Sequence, residues 1–321
     1  MNPIKQKIGK LYVRHFANLA SWFRGLLNIG VAFQRLFGAE RCEAFSRRLR
    51  QLTKGRTPVW LSTLPAASRP VYARNELIRL TKESTVVYWP SCVSQSFGSA
   101  LNDDRVNIPN AVQSVLNKAN LNVVYPQPTR GLCCGAYLRH KGLADAADQM
   151  QEELISTLWE VSSAGRYPVL ADTSACSEAL MAQARARGIH LYESSEFIDK
   201  FLLDRLDITP EIQRVAVFVS CATRQLGVES SFYRVVDKLT PDWVEPDGID
   251  CCGSVGDQAF TQPERAQHAL AYLPFQIDTC AYGISNNRMC EISLSRYGEL
   301  TFYSLFEILD RCSQGRQSSS S

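Results

Sequence analysis

Eight of the eleven cysteines in this 321-residue sequence form two similarly ordered sets, and thiols in such sets could bind a metal centre. Two stretches, GLCCG and DCCGS, each hold an adjacent cysteine pair followed at once by glycine. In each set a single cysteine precedes the pair and another follows it. The first set is Cys92, Cys133, Cys134 and Cys176, and the second set is Cys221, Cys251, Cys252 and Cys290.

The number and type of these ligands favour an iron–sulfur cluster, for which four converging thiolates are suited. Adjacent cysteines cannot easily share one small tetrahedral ion, because their Cβ atoms point in different directions, but they can reach two irons of a larger cluster. Zinc is one alternative, although zinc sites usually contain C-x2-4-C pairs and this sequence has none. A disulfide within the pair is another, but it would be strained and disfavoured in a reducing compartment.

The glycine that follows each pair, Gly135 or Gly253, indicates a special backbone position. Glycine permits a positive φ, and it removes a side chain where the backbone would approach inorganic sulfide. Near the pairs lie three polar residues that could assist a centre or be ordinary solvated residues, namely His140, Arg224 and Asp257. Cys280 is an alternative fifth ligand of the second set, although Cys290 is favoured, and Cys42 and Cys312 are interpreted as lone buried residues.

The composition is that of a soluble globular protein, with 45% hydrophobic and 21% charged residues. The start, MNPIKQKIGKLYVRHF, lacks the apolar run and cleavage site of a secretory signal. We therefore expect a cytoplasmic protein, in which clustered cysteines more often bind metal than form disulfides. The sequence contains neither G-x-G-x-x-G nor a P-loop, and we expect no nucleic-acid partner.

Short apolar segments alternate with amphipathic helical segments from residue 71 onward, which predicts parallel α/β sheets. The predicted strands are TVVYW (85–89), NVVYP (122–126), YPVLAD (167–172), IHLYE (189–193) and VAVFVS (215–220). The predicted helices are 143–164, 177–187, 195–206, 228–239, 263–277 and 304–311. TVVYWPSCVSQSFG resembles VAVFVSCATRQLG, because in both a strand runs into Ser-Cys and glycine follows six residues after the cysteine. The repeat predicts two α/β halves related by a pseudo-two-fold axis, each with ligands at one sheet edge.

The N-terminal segment differs from the rest in charge, since residues 1–56 hold twelve Lys or Arg and two Glu. Apolar residues at helical spacing predict a helix over 8–37 and a second over 39–52, followed by a Pro- and Ser-rich linker over 53–70. Two interpretations stay open: a basic element that docks on a membrane surface or a partner, or a helical linker whose apolar face packs on a flavin domain or on the body. The predicted domains are a basic helical arm and linker (1–70), a first half (71–206), a second half (207–316) and a disordered tail (317–321).

These ordered motifs resemble the cysteine-rich (CCG) domain family. That family includes the CCG-containing subunit of heterodisulfide reductase, the iron–sulfur subunits of glycerol-3-phosphate and glycolate oxidases, and lactate-utilisation proteins. The sequence is most similar to the C-terminal portion of the large FAD and iron–sulfur D-lactate (D-2-hydroxyacid) dehydrogenases. The resemblance covers about residues 50 to 312. It rests on WPSCVSQSFG, GLCCGAYLRHKG, ADTSAC, VSCATRQLG, DCCGSVGDQAF and GISNNRMCEISLS.

The resemblance implies tandem CCG domains with [4Fe-4S] clusters bound by the eight cysteines, and electron flow from a flavin that oxidises D-lactate toward quinone or cytochrome. Three family features are missing: the FAD-binding half, the C-x2-C-x2-C-x3-C-P runs, and the C-x2-C ending of heterodisulfide reductase, since Cys176 precedes Ser177, Glu178 and Ala179. Ser254 stands where the family usually has an aromatic residue.

The expected function is therefore that of an electron-transfer subunit or detached module, with FAD only on a partner flavoprotein dehydrogenase. We expect this chain alone not to oxidise D-lactate, and we expect the apolar faces of residues 8–52 to dock the partner. A peripheral location at the inner face of the cytoplasmic membrane is a further expectation. The alternatives are a non-redox scaffold that binds zinc or no metal, and a thiol catalyst like heterodisulfide reductase.

Overall fold

The computed structural model describes residues 3–69, 71, 84–99 and 107–316. The predicted disordered tail at 317–321 lies outside the described residues, as do parts of the predicted first half at 72–83 and 100–106. The helices are α1 (Pro3–Phe37), α2 (Ala39–Leu52), α3 (Cys92–Ser96), α4 (Ile108–Lys118), α5 (Ala136–His140), α6 (Ala144–Val161), α7 (Ser174–Ala186), α8 (Ser194–Phe197), α9 (Cys221–Leu226), α10 (Glu229–Leu239), α11 (Gln258–Thr261), α12 (Pro263–Ala269), α13 (Leu273–Gln276), α14 (Arg288–Tyr297) and α15 (Leu305–Cys312). The strands are β1 (Thr85–Trp89), β2 (Asn122–Val124), β3 (Val169–Ala171), β4 (Leu191–Tyr192), β5 (Leu206–Ile208), β6 (Val215–Val217), β7 (Trp243–Val244), β8 (Tyr282–Ser285), β9 (Phe302–Ser304) and β10 (Ser313–Gly315).

Two four-stranded parallel sheets form the body of the molecule, in the orders β2-β1-β3-β4 and β7-β6-β8-β9. In each sheet the strand that leads into Ser-Cys lies between the next two strands of its half. All five residues of β1 are buried, as expected for a parallel strand that is covered on both faces. The shared order and direction confirm the prediction of two α/β halves.

The two halves contact each other through two equivalent pairs of helices. The first half's α7 contacts α9 of the second half, while α14 of the second half contacts α3 of the first. In the repeat α7 corresponds to α14, and α3 corresponds to α9. Each contact is therefore the counterpart of the other, as a pseudo-two-fold relation between the halves requires. One apolar core includes residues of both halves, among them Leu116 in α4 and Phe306 in α15.

A short antiparallel ribbon joins the ends of the two halves and was missed from the sequence. Strand β5 pairs with β10, with Asp207 opposite Gln314. Each strand follows the last helical segment of its half; the apolar alternation of β5 covers only three residues, and β10 has none. The predicted boundary between residues 206 and 207 falls inside β5.

Two predicted helices are interrupted. The segment 263–277 forms α12 and α13, and Pro274 lies in the first turn of α13, where it cannot donate a hydrogen bond to a preceding turn. The segment 195–206 begins as α8 and continues through a π-helical turn (Ile198–Leu202) and a 3-10 turn (Leu203–Arg205) before β5.

The N-terminal arm is helical as predicted, and one face of α1 packs on the body. Phe16, Leu27 and Val31 are buried on this face. Gly30 lies against Trp60, because a Cβ at this position would come within 2.2 Å of the indole. No helix among the described residues is long and apolar enough to cross a membrane.

The segment 53–69 has no helix of its own beyond the end of α2, yet it is packed rather than a free linker. Val59, Leu61 and Leu64 are buried in a cluster with residues of α1 and α14. The buried Glu43 of α2 anchors the segment, since its carboxylate accepts from the Ser62 backbone N–H at 2.7 Å. The same carboxylate accepts from Arg47 at 2.9 Å and Arg296 at 2.7 Å.

Two candidate cysteine centres

All eight cysteines of the two sets follow the carboxyl ends of parallel strands. Cys92 follows β1, the pair at 133–134 follows β2, and Cys176 follows β3. In the second half the equivalent strands are β6, β7 and β8. The carboxyl ends of parallel strands lie at one edge of a sheet, where ligands bind in open α/β folds.

The first centre brings together its four predicted residues. The Sγ atoms of Cys92 and Cys133 are 3.8 Å apart, and those of Cys134 and Cys176 are 3.3 Å apart. The two members of the adjacent pair thus contact different partners. This arrangement is what the divergent Cβ directions of neighbouring residues require.

The second centre repeats the same pairing. Cys252 and Cys290 have Sγ atoms 2.6 Å apart, while the Cys251 thiol is hydrogen-bonded to that of Cys221. The structure therefore brings all eight predicted cysteines into two groups of four. In contrast, Cys280 precedes β8 and lies at the opposite edge of the sheet from Cys290, beside Arg214.

Helix N-termini and backbone N–H groups face both centres. Cys92 and Cys221 are the first residues of α3 and α9. Ser91 and Ser220 cap these helices, each accepting a hydrogen bond from a backbone N–H of the first turn. The repeated Ser-Cys dipeptide is the sequence signal of this arrangement. At these helix starts the hydrogen bond to Cys251 and burial raise the pKa of Cys221, and against the lowering effect of the Cys133 hydrogen bond, burial raises the pKa of Cys92.

The thiols interact strongly with one another, and this is visible in their pKa values. The hydrogen bond to Cys134, together with burial, raises the pKa of Cys176. Hydrogen bonds from Cys221 and Cys252 lower the pKa of Cys251, while the bond to Cys251 raises that of Cys252. Closely placed thiols resist simultaneous ionisation, and a bound cation would remove this penalty while releasing protons.

The glycines after the two pairs have the predicted positive φ, at 71° for Gly135 and 70° for Gly253. The structure shows a reason for the missing side chain besides the predicted approach to sulfide. A Cβ on Gly135 would lie 2.6 Å from the carbonyl oxygen of Ala147 in α6, and one on Gly253 would lie 2.8 Å from the backbone of Ala266 in α12. Each glycine therefore lets a helix pack against its cysteine pair. The Gly135 and Gly253 N–H groups approach Cys133 and Cys251 at 3.5 and 3.4 Å.

Helix α1 covers the first centre. The sequence predicted the helix but not which of its residues would contact the cysteines. Phe16 is buried in one apolar cluster with Cys133, and Tyr12 and Cys92 pack against that cluster. A cavity of about 20 Å³ beside Cys92 is lined in part by Phe16. Burial, followed by the nearby Cys133 sulfur, raises the pKa of Tyr12. The second centre is more open, since Cys221 and Cys251 are both only partly buried.

Of the polar residues near the adjacent cysteines, some form contacts between the two halves and others bind different partners. His140 follows the first pair, and its Nε2 lies 3.1 Å from Nε2 of Gln258, which follows the second pair. Asp257 forms an ion pair with Lys141 at 2.6 Å. The helix after one cysteine pair therefore contacts the loop after the other.

Two further residues from the sequence analysis have other partners. Arg224 donates to Glu245 at 2.7 Å. Ser254 is buried, and its hydroxyl contacts the carbonyl oxygen of Cys252 at 3.2 Å and the hydroxyl of Ser293 in α14. A serine at this position therefore ties the second pair to the helix that carries Cys290.

A buried polar junction between the halves was missed. Ser174, two residues before Cys176, lies 2.7 Å from the Ser220 hydroxyl, next to Cys221. Asn286 donates to Glu193 and Thr223, each at 2.7 Å. The helices that carry Cys176, Cys221 and Cys290 thus begin at one shared polar region, which fixes the two centres relative to each other.

The donor set fits a thiolate-bound metal group in type and number. Thiolates about 2.3 Å from one tetrahedral ion would be about 3.8 Å apart. The Sγ–Sγ distances of 3.8, 3.3 and 2.6 Å are at or below that separation. Among the residues that the structure describes, no three His, Cys, Asp or Glu side chains are arranged around a single metal ion.

The fold and the two centres define a protein with two cysteine-rich α/β domains. Residues 86–180 and 215–279 match the family described as CCG, cysteine-rich domain, which supports placing the chain in that family. No curated protein matches the chain in sequence. Among solved structures, an aspartate racemase homologue from Pyrococcus horikoshii OT3 aligns with 71% of this chain and 96% of its own, at 8% identity and a TM-score of 0.28.

Proposed function

We propose that the chain is an iron–sulfur electron-transfer protein, a subunit or module of a D-lactate or related 2-hydroxyacid dehydrogenase. It would receive electrons from a flavin on a partner and pass them toward quinone or cytochrome. The observation that carries the proposal is the convergence of four cysteines at the same sheet edge in both halves. Cysteine-rich CCG domains are consistent with iron–sulfur electron transfer.

The residues that would hold the clusters are the eight converging cysteines, four in each half. A bound [4Fe-4S] cluster would supply reversible one-electron transfer. The N–H groups of Gly135 and Gly253 approach sulfur and would stabilise its negative charge. Tyr12 and Phe16 would exclude water from the first centre, whereas Cys221 and Cys251 leave the second closer to solvent.

The oxidation of a 2-hydroxy acid is assigned to a partner flavoprotein, because cofactors carry that chemistry and this sequence has no nucleotide-binding motif. The purified chain should therefore show no D-lactate-dependent dye reduction. Addition of a flavoprotein D-lactate dehydrogenase subunit should restore it. Lactate-dependent dye reduction by the purified single chain would contradict the assignment of a subunit role.

Serine variants of the adjacent pairs test the ligand assignment. Cys134→Ser and Cys252→Ser, each purified without oxygen, should each lose about four irons, the content of one [4Fe-4S] cluster. Cys280→Ser and Cys312→Ser are matched controls, because both are buried cysteines outside the two centres, and they should retain full iron content. Equal iron in all four variants would contradict the proposal, and zinc without sulfide would favour the zinc-binding alternative.

A further inference from the structure

The outer face of α1 carries an apolar stripe that the body does not cover. Trp22, Leu26, Ile29, Phe33 and Leu36 recur at steps of four and three residues, so they share one side of the helix. Their exposed fractions are 75, 62, 56, 55 and 78%. This outer stripe is about 21 Å long, from 1.5 Å of helix rise per residue. Such a continuous apolar surface usually marks an interaction site.

The second helix of the arm, α2, also exposes large apolar side chains. Phe45 and Leu52 of α2 are 68% and 81% exposed. The inner face of α1 is buried against the body, through Phe16 and Leu27. The exposed side chains are therefore not the packing face of the arm, but a second apolar surface.

The charged residues of α1 itself are all basic. Helix α1 contains no acidic residue, and Lys7, Lys10 and Arg14 are exposed on the turns N-terminal to the stripe, while Arg35 is exposed near its C-terminal end. Of the two glutamates in residues 1–56, Glu43 is buried against arginines, and Glu40, which is 77% exposed, lies 3.8 Å from Arg296.

We propose that the outer face of α1, together with α2, docks on an anionic phospholipid surface and lies in its interface. An aromatic and aliphatic stripe with a basic flank is the pattern of interfacial helices, which combine apolar burial with attraction to anionic lipid. A second copy of the chain is disfavoured as the occupant, since stripe-to-stripe contact would bring two basic flanks together.

This docking has a consequence that rests on the proposed function. The inner face of α1 covers the first centre through Tyr12 and Phe16, on the side of the helix away from the lipid. The first centre would then lie about one helix diameter, about 10 Å, from the bilayer. It would be placed to pass electrons to a membrane-dissolved acceptor such as a quinone.

Vesicle flotation with the purified full chain tests the docking. The protein should float with phosphatidylcholine vesicles that contain phosphatidylglycerol, bind pure phosphatidylcholine much less, and dissociate at high salt. Trp22→Ser/Leu26→Ser/Ile29→Ser should weaken binding more than tenfold. Lys10→Gln/Arg14→Gln should weaken it about twenty-five-fold, at about fivefold for each basic residue.

The control variant is Tyr272→Ser/Phe275→Ser, which removes two aromatic residues of 75% and 79% exposure far from the arm in sequence. It should bind vesicles like the wild type. The proposal is overturned if anionic vesicles fail to float the wild type, or if the control loses as much binding as the triple variant. A wild-type dimer in light scattering that the triple variant converts to monomer would assign the stripe to a second copy instead. Iron content is measured in parallel, so failure of docking is distinguished from failure of the proposed function.

Discussion

Replacing Gly135 with alanine should destabilise the protein by more than its backbone conformation alone would cost. A non-glycine residue in the left-handed region costs about 1–2 kcal/mol. The added Cβ would also lie 2.6 Å from the Ala147 carbonyl oxygen, a backbone atom that cannot rotate away. Overpacking of this kind costs a further amount of about 1–3 kcal/mol.

The matched control is Gly188→Ala in the same half. Gly188 has a φ of 77°, close to the 71° of Gly135, and no atom lies within 4 Å of the point that an added Cβ would occupy. The difference between the two variants therefore isolates the clash with α6, and we expect Gly135→Ala to lose about 1–3 kcal/mol more than Gly188→Ala. Equilibrium urea unfolding of the metal-free proteins, followed by circular dichroism, measures both values.

The repeat allows an independent test in the second half. Gly253→Ala would place its Cβ 2.8 Å from Ala266, whereas Gly227→Ala at a φ of 69° meets nothing within 4 Å. The same excess loss is expected for Gly253→Ala. If either alanine at a cysteine pair is no more destabilising than its control, the reasoning that these glycines admit a helix is refuted.

Two further predictions concern the arm and the thiols. Glu43→Gln should cost about 2–4 kcal/mol at neutral pH, because it leaves two partly buried arginines without their carboxylate, whereas the exposed Glu40→Gln should cost less than about 0.5 kcal/mol. Burial opposes ionisation of Glu43, but its three hydrogen bonds lower its pKa below 4.5. The stabilisation by its carboxylate is therefore present above pH 4.5 and is lost as the pH falls through the lowered pKa. Equal stability of the wild type and Glu43→Gln at neutral pH would contradict this prediction. In the metal-free protein, iodoacetamide should alkylate Cys251 on the order of tenfold faster than Cys133, because Cys251 is partly buried and Cys133 lies under α1. Tyr12→Ala should raise the rate at Cys133 and leave that at Cys251 unchanged, as mapped by peptide mass spectrometry, and an unchanged rate at Cys133 would show that α1 does not protect the first centre.

The sequence predicted those parts of the fold that have strong local patterns. The β-branched runs at 85–89 and 215–220 and the long helices of the arm carried clear periodicity, and the repeated Ser-Cys and CCG motifs identified the two halves. The short strands β5 and β10 were not predicted, because they are stabilised by pairing with each other rather than by local propensity. The grouping of the cysteines followed from strand ends, which meet at one edge in any parallel sheet.

Features that depend on packing between distant segments could not be predicted. The role of Gly135 required the position of α6, and the cover over the first centre required knowing which face of α1 meets the body. The contact of His140 with Gln258 depends on two short helices, α5 and α11, from different halves. In each case the signal is a distance between residues far apart in sequence, which composition and spacing do not contain.

The most direct test of the central claim is the metal and sulfide content of the full chain, purified without oxygen. Two [4Fe-4S] clusters predict about eight irons and eight acid-labile sulfides per chain, with a visible absorption that dithionite bleaches. Zinc near one or two ions per chain without sulfide, or no bound metal at all, would contradict the account.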